Sequence, residues 1–160
     1  MFKIGDVFYY RAIGVCRVED IREEAFTGQK QTYYILTPLD HANSTIYVPL
    51  DNESLKERML PLMSKTQAAE ALASGEIQEW VDNPKLRQTA YTEIISGDDR
   101  RRIAAVLRAL LRHRREVTDA GRKFYASDVR LLEAAENAVV SELVEVLGVS
   151  REDVLAKLGG

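Results

Sequence analysis

The residues that most often perform acid–base or nucleophilic chemistry are few in this chain and widely separated. Its 160 residues include two histidines, His41 and His113, and a single cysteine, Cys16. No serine, cysteine, histidine and acid stand at the spacing of a known catalytic set, and the nine glycines are scattered at turns. One cysteine cannot form a multi-cysteine metal site. We therefore expect no enzyme activity, no cofactor and no metal.

The chemistry that the sequence favours instead is the binding of an acidic partner. From Arg100 to Lys123 there are nine basic and two acidic residues, a local balance of +7 in a chain whose net charge is −3. This asymmetry predicts one basic face. The arginines either contact phosphates or pair with acidic residues of a neighbouring helix, and the sequence leaves both interpretations open. Those with helical spacing are Arg101, Arg102, Arg108, Arg112 and Arg115, and Arg122 follows them.

The only tryptophan, Trp80, precedes the basic stretch and lies close to Asn83 and Pro84. Beside a basic face, an indole could stack on a base or wedge against a base pair. It could equally be a core residue of a helical domain. The residues alone do not decide between these two interpretations of Trp80.

The candidate residues lie in a chain whose first part is predicted to form β-strands and whose second part is predicted to form helices. The predicted fold class is therefore α+β. Residues 1–63 contain five short runs rich in β-branched and aromatic residues, separated by turn signals and with no helix between them. Such spacing predicts a small antiparallel β-barrel. The expected core residues of this barrel are Phe8, Tyr10, Val18, Ile21, Tyr34, Leu36, Ile46 and Val48.

Residues 64–160 are rich in helix-forming residues and predict an all-α helical bundle. Thr66 is a candidate N-cap for the first helix, and Pro84 suits the first turn of the second. Ser127 is the candidate cap of the longest helix, whose apolar stripe includes Val129 and Val146. The predicted helices cover about 67–73, 84–95, 98–115, 127–147 and 150–158. The domain boundary is expected near 60–66.

The length of the chain allows one medium domain or two small ones. No apolar run approaches the roughly 20 residues that cross a bilayer, and the N-terminus has no apolar signal-peptide core. A cytoplasmic protein with no membrane contact is therefore expected. A single cysteine excludes an internal disulfide. A monomer is the default expectation.

Taken together, these motifs make the chain similar to the CarD/CdnL family of bacterial transcription regulators, nearly from end to end. Residues 2–10 and 18–21 with Gly14 resemble the family's first hairpin, 31–36 with Gly28 its second, and 46–49 its strand ending in Val-Pro. The second half follows the family's order of motifs. These are Trp80, Arg87, Tyr91, and residues 96–98, 106–110, 121–123 and 142–143.

This resemblance implies a Tudor-like module that binds the β-subunit of RNA polymerase, followed by a helical DNA-binding domain. It implies contact with promoter DNA at the upstream edge of the bubble, where a tryptophan wedges into the minor groove and the open complex is stabilised. The expected polymerase contacts are Glu24, Tyr33, Tyr34 and Tyr47. The expected DNA contacts are Trp80, Asn83, Arg87, Arg108, Arg112, Arg115, Arg122 and Lys123.

The chain departs from the family pattern at several of these positions. Glu24 and Tyr47 stand where many members carry basic residues toward polymerase. Trp80 lies about three residues further from Ser96 than the wedge does in many members, and Asn83 occupies the expected offset. The alternative function is that of a protein-interaction adaptor. It would have the same β-module, and its helical domain would bind protein rather than DNA.

Overall fold

The first part of the protein is a five-stranded antiparallel sheet, seen in a computed structural model that describes residues 2–159. The strands are β1 (Val7–Tyr10), β2 (Gly14–Glu24), β3 (Gln31–Pro38), β4 (Ile46–Pro49) and β5 (Met59–Leu60). One helical turn, α1 (Glu53–Lys56), precedes β5 and was not predicted from the sequence. Every strand pair is antiparallel. The predicted α+β class with an antiparallel N-terminal sheet is thus confirmed.

The predicted closure of this sheet into a barrel is not found. The strand order is β4-β3-β2-β1-β5, so β4 and β5 form opposite edges and do not pair with each other in residues 2–159. The strand β5 has only two residues and pairs with β1 through Tyr9 and Tyr10. A strand this short offers few backbone groups for a second ladder, and the described sheet therefore remains open.

The core of the sheet is the one that the sequence predicts. Six of the eight expected residues are buried in a single cluster, and the other two, Ile21 and Ile46, pack against it partly buried. Cys16 is buried in the same cluster, and burial raises the pKa of its thiol to about 12. A thiol with such a pKa is protonated at neutral pH, which agrees with a packing role.

Within residues 2–159, five helices follow the sheet: α2 (Lys65–Ala73), α3 (Pro84–Ile95), α4 (Arg100–Asp119), α5 (Ala126–Leu147) and α6 (Arg151–Gly159). The predicted segments are confirmed, but several ends differ. Ser64, not Thr66, caps α2 and forms a capping box with Gln67. The helix α4 continues one turn beyond Arg115, because Val117 adds a further buried residue to its apolar face.

The helix α5 begins earlier than predicted and without a side-chain cap. Its N-cap is Tyr125, which makes no capping hydrogen bond, and the expected cap Ser127 lies inside the first turn. The predicted stripe is correct in its middle, where Leu132, Ala135, Val139 and Leu143 are buried. Val129 is exposed instead, whereas its neighbour Asp128 in the same turn is buried.

The sheet and the helices meet along the β1–β2 turn and helix α5. Gly14 has a φ of 107°, and a Cβ at this position would overlap the carbonyl oxygen of Asn137 in α5. The amide of Val15 donates to Ser141 Oγ at 3.4 Å. Only glycine allows so close a backbone approach at this φ, so Gly14 fixes the place where the two parts touch.

A buried ion pair closes the same junction. Glu142 of α5 is fully buried, accepts the Met63 amide at 2.8 Å and pairs with Arg100 Nε at 3.0 Å. The Arg100 guanidinium also lies 4.3 Å from the centre of the Tyr9 ring in β1. Burial raises the pKa of Glu142, while Arg100 and the Met63 N–H act to lower it. Among residues 2–159 no helix is long and apolar enough to cross a membrane.

Candidate nucleic-acid interface

Trp80 lies in the extended segment between α2 and α3 and is half-buried against the helical core. Its ring stacks on His113 of α4, with centroids 4.0 Å apart and planes 22° from parallel. The Arg87 guanidinium lies 4.4 Å from the indole centre, and Tyr91 meets it edge-on at 6.0 Å. Trp80 therefore has core contacts and a partly exposed surface. Its interpretation as a core residue and its interpretation as a residue that stacks on a base both stay open.

Arg87 is a structural residue, which corrects its prediction as a DNA contact. It is only 2% exposed, and its Nε and Nη2 donate to the two carboxylate oxygens of Asp128 at 2.9 Å each. Its Nη1 donates to the carbonyls of Val81 and Asp82. Because all three nitrogens are engaged, no face remains for a phosphate. Arg87 instead ties the segment that carries Trp80 to the start of α5.

Arg108 is also buried, which corrects its prediction as a DNA contact. It is 5% exposed and donates to the carbonyls of Ala71 and Leu72 at 2.8 Å, with further bonds to Ser74 Oγ and the Glu76 carbonyl. These are the last carbonyls of α2 and the loop behind it, where a cation is favoured by the helix dipole. Burial lowers the pKa of Arg108, and Glu76 opposes that shift.

The remaining basic candidates gather beside Trp80. One cleft of about 390 Å³, which we call the Trp80 cleft, is lined by Trp80, His113, Arg122, Lys123 and Tyr125 among others. Arg122 and Lys123 are exposed, and neither has an ion-pair partner within the described residues. They follow Gly121, whose φ of 70° turns the chain out of α4. The turn therefore places two available cations next to the indole.

Arg112 lies on the other side of the indole, in a smaller cleft that also contains Trp80 and His113. It pairs with Glu116 at 3.4 Å, with both side chains largely exposed, and such a pair is worth little and exchanges readily. Arg115 is further away and donates to the carbonyl of Gly159 in α6. The structure thus brings Arg112 to Trp80 and leaves Arg115 at the last helix.

Internal pairing accounts for part of the basic stretch. Arg100 pairs with Glu142, and Arg101 pairs with Glu76 at 2.6 Å on the surface. Asn83 uses its side-chain oxygen to cap α3, accepting from the amides of the next helical residues at 3.0 Å. Its amide group and the arginines that point outward remain available. Internal pairing therefore explains Arg100 and Arg101, and phosphate contact stays a prediction for the arginines that point outward.

His113 links the two clefts and has a perturbed pKa. Burial lowers the pKa of this imidazole, Arg87 and Arg122 act in the same direction, and Asp128 and Glu116 oppose them. The neutral form is therefore favoured at neutral pH, which suits a ring stacked on an indole.

The predicted polymerase contacts divide between core and surface. Tyr34 is buried in the core of the sheet, which corrects its prediction as a contact. Tyr33 is also buried, but its ring meets those of Phe26 and Tyr47 edge-on at 5.3 and 6.2 Å. Phe26 and Tyr47 are exposed, and Glu24 pairs with Arg22 nearby at 2.7 Å. The sequence interpretation missed Phe26, although an aromatic residue within a polar hairpin was a usable signal.

The fold and this site define a class of protein in which an antiparallel β-module is packed against a helical module with a basic, aromatic-lined cleft. Comparison with known families identifies both modules. The CarD-like/TRCF RID domain matches residues 2–62, and the CarD C-terminal domain matches residues 67–159. The chain belongs to the CarD/CdnL family, as the sequence resemblance predicted.

A relative supports the same assignment over the full length. A protein of Bacillus subtilis (strain 168) described as "Putative transcription factor YdeB" is 26% identical over 160 residues. The alignment covers 96% of this chain and 97% of that protein. The similarity therefore includes both the sheet and the helices.

Proposed function

We propose that this protein is a transcription regulator that binds RNA polymerase through residues 1–63 and promoter DNA through residues 64–160. The observation that carries the proposal is the match of both halves to CarD-type domains, in the order sheet then helices. The description of the Bacillus subtilis relative as a transcription factor supports the same role. We further propose that the protein is a cytoplasmic monomer without enzyme activity.

The proposed DNA surface consists of Trp80, Asn83, Arg112, Arg122 and Lys123. The two exposed cations and the exchangeable Arg112 would hold phosphates on either side of the indole. Such contacts release counterions and bind DNA largely without regard to sequence. Placed at the upstream edge of the bubble, they would stabilise the open complex. Binding to polymerase raises their effective concentration, so weak DNA affinity is sufficient.

The proposed polymerase surface lies on the β-module around Glu24 and Tyr47, with Phe26 added. The two exposed rings rest on the buried ring of Tyr33, which holds them in one place. Rigid aromatic residues with a charged neighbour are typical of protein–protein contact sites. The β-subunit of RNA polymerase is the proposed partner of this surface.

The test uses two variants of the full chain that separate the two surfaces. In the double variant Arg122→Ala/Lys123→Ala, the slope of log affinity against log salt should fall by about two for duplex DNA. Retention of the polymerase β-subunit should be unchanged in that variant. The variant Tyr47→Ala should lower β-subunit retention and leave the salt slope intact.

An unchanged salt slope would count against Arg122 and Lys123 as phosphate contacts. If the chain retains polymerase but binds no DNA at low salt, the adaptor alternative replaces the DNA-binding proposal.

A further inference from the structure

Tyr125 is the most exposed aromatic side chain in the Trp80 cleft. It is 59% exposed, although a tyrosine ring gains free energy when it is buried. It lines the cleft together with Trp80, Arg122 and Lys123, and the acidic residue in the same lining is Asp82. An aromatic ring beside two available cations is the combination that binds a nucleic-acid strand by stacking and phosphate contact.

The position of Tyr125 in the chain is also unfavourable for local structure. It is the N-cap of α5, a helix of 22 residues, and its side chain makes no capping hydrogen bond. Serine, threonine, aspartate and asparagine are preferred at this position, because their side chains accept a bond from the first free amides. A residue that breaks a local rule without a compensating contact is often retained for function.

Trp80, by contrast, already uses much of its ring inside the protein. His113 stacks on it at 4.0 Å, and the Arg87 guanidinium lies at 4.4 Å. Arg87 is held by a buried pair with Asp128 and cannot move away without breaking it. A base that stacks flat on the indole would have to displace one of these two neighbours, whereas the ring of Tyr125 needs no such rearrangement.

We propose that Tyr125 stacks on an unpaired nucleobase in the Trp80 cleft, while Arg122 and Lys123 hold the neighbouring phosphates. Trp80 then forms the fixed wall of the cleft. This proposal rests on the DNA-binding function proposed above and adds the residue that recognises unpaired bases at a duplex edge. It also gives the helical module a preference for opened over fully paired DNA.

The test measures the affinity of the full chain for a forked duplex with unpaired bases and for a fully paired duplex of equal length. The variant Tyr125→Ser removes the ring and supplies a cap. Its affinity for the fork should fall roughly 5- to 150-fold, the range of a lost base–aromatic stack, and its affinity for the paired duplex should change far less. Its Tm should rise by roughly 2–4 °C, because serine caps the helix.

Three control variants accompany this measurement. Tyr125→Phe should keep the fork affinity, since the ring remains. Tyr125→Leu removes the ring without adding a capping side chain, and it should lose the preference for the fork. This variant repeats the test if Tyr125→Ser fails to fold. Ile4→Ser removes an exposed apolar side chain from the β-module, outside both proposed surfaces, and should leave both DNA affinities unchanged.

The outcomes separate this proposal from the function on which it rests. If Arg122→Ala/Lys123→Ala weakens DNA binding but Tyr125→Ser and Tyr125→Leu keep the fork preference, stacking by Tyr125 is overturned and DNA binding stands. Equal losses on fork and duplex would also overturn stacking. If the unaltered chain binds neither DNA, both proposals fail.

Discussion

At the scale of single residues, the environment of each arginine decides what it can do. Arg87 and Arg108 give their donors to internal acceptors, whereas Arg122 and Lys123 keep theirs in solvent. All four side chains are cationic hydrogen-bond donors, and only their burial distinguishes the structural pair from the exposed pair. Removing one partner of a buried pair such as Arg87–Asp128 typically costs about 3–5 kcal/mol of stability. The change of an exposed, unpaired residue usually costs under about 0.5 kcal/mol.

The ring of His113 is stacked on the only tryptophan, so we expect its protonation to change the fluorescence of Trp80. Burial lowers its pKa in the folded protein, so protonation favours the unfolded chain. The stabilisation is present above the ordinary pKa of histidine, about 6.5, and is lost as the pH falls through the folded value. Trp80 emission should therefore change with a midpoint below about 6.5, since a charge appears 4.0 Å from the indole.

The matched control for this titration is His113→Gln, which should remove the transition. The other histidine, His41, lies in a loop near Asn137 of α5, whereas His113 is in α4, and its replacement should have no effect. A midpoint at or above 6.5, or a transition that persists in His113→Gln, would contradict the stack as the source of the signal.

At the scale of elements, apolar patterns predicted most of the structure. The core of the sheet and the middle of the α5 stripe follow from residue type and spacing, because burial of apolar side chains drives folding. The pattern could not tell which arginines are buried, since the carbonyl partners of Arg108 lie 32 to 37 residues away and the carboxylate partner of Arg87 lies 41 residues away. It also could not find the start of α5, because Tyr125 lacks the side chain that marks a cap. The open sheet depends on how short β5 is, which composition does not reveal.

At the same scale, we predict that α2 loses stability when its contact with Arg108 is removed. Arg108→Ala should lower the free energy of unfolding by about 1.5–3 kcal/mol, the usual value for hydrogen bonds to a charged group. The last turn of α2 should lose amide hydrogen-exchange protection, because its carbonyls lose their donor. Protection of α3 should stay the same. Arg112→Ala is the control on the exposed side of the same helix and should change neither quantity appreciably. An unchanged exchange pattern in Arg108→Ala would show that α2 does not depend on this contact.

At the scale of the whole molecule, the two modules are joined by buried polar groups as well as by packing. Glu142 binds the Met63 amide in the linker and Arg100 at the start of α4, and Arg100 lies over Tyr9 of the sheet. Gly14 contacts α5 at the β1–β2 turn, at the same end of the hairpin as Tyr9. A fixed junction sets the distance between the proposed polymerase surface and the proposed DNA surface. That distance matters because a tether acts only when both sites can be reached at once.

The junction makes the stability of the molecule depend on pH. Because burial raises the pKa of Glu142, the folded state holds its proton more tightly than the unfolded state. This contribution is present below the ordinary pKa of glutamate, about 4.3, and is lost as the pH rises through the folded value. The stability of the unaltered chain relative to Glu142→Gln should therefore be highest in acid and fall as the pH rises toward neutral. Urea unfolding at a series of pH values measures the difference, and a flat or opposite trend would contradict the buried carboxyl.

The most direct test of the account is the lifetime of the promoter open complex after a competitor is added. The unaltered chain should lengthen that lifetime. Arg122→Ala/Lys123→Ala should remove the effect while it still binds polymerase, because the DNA surface is lost and the β-module is intact. An unaltered chain that leaves the lifetime unchanged, or a double variant that lengthens it equally, would contradict the proposal that this protein holds the open complex through its basic cleft.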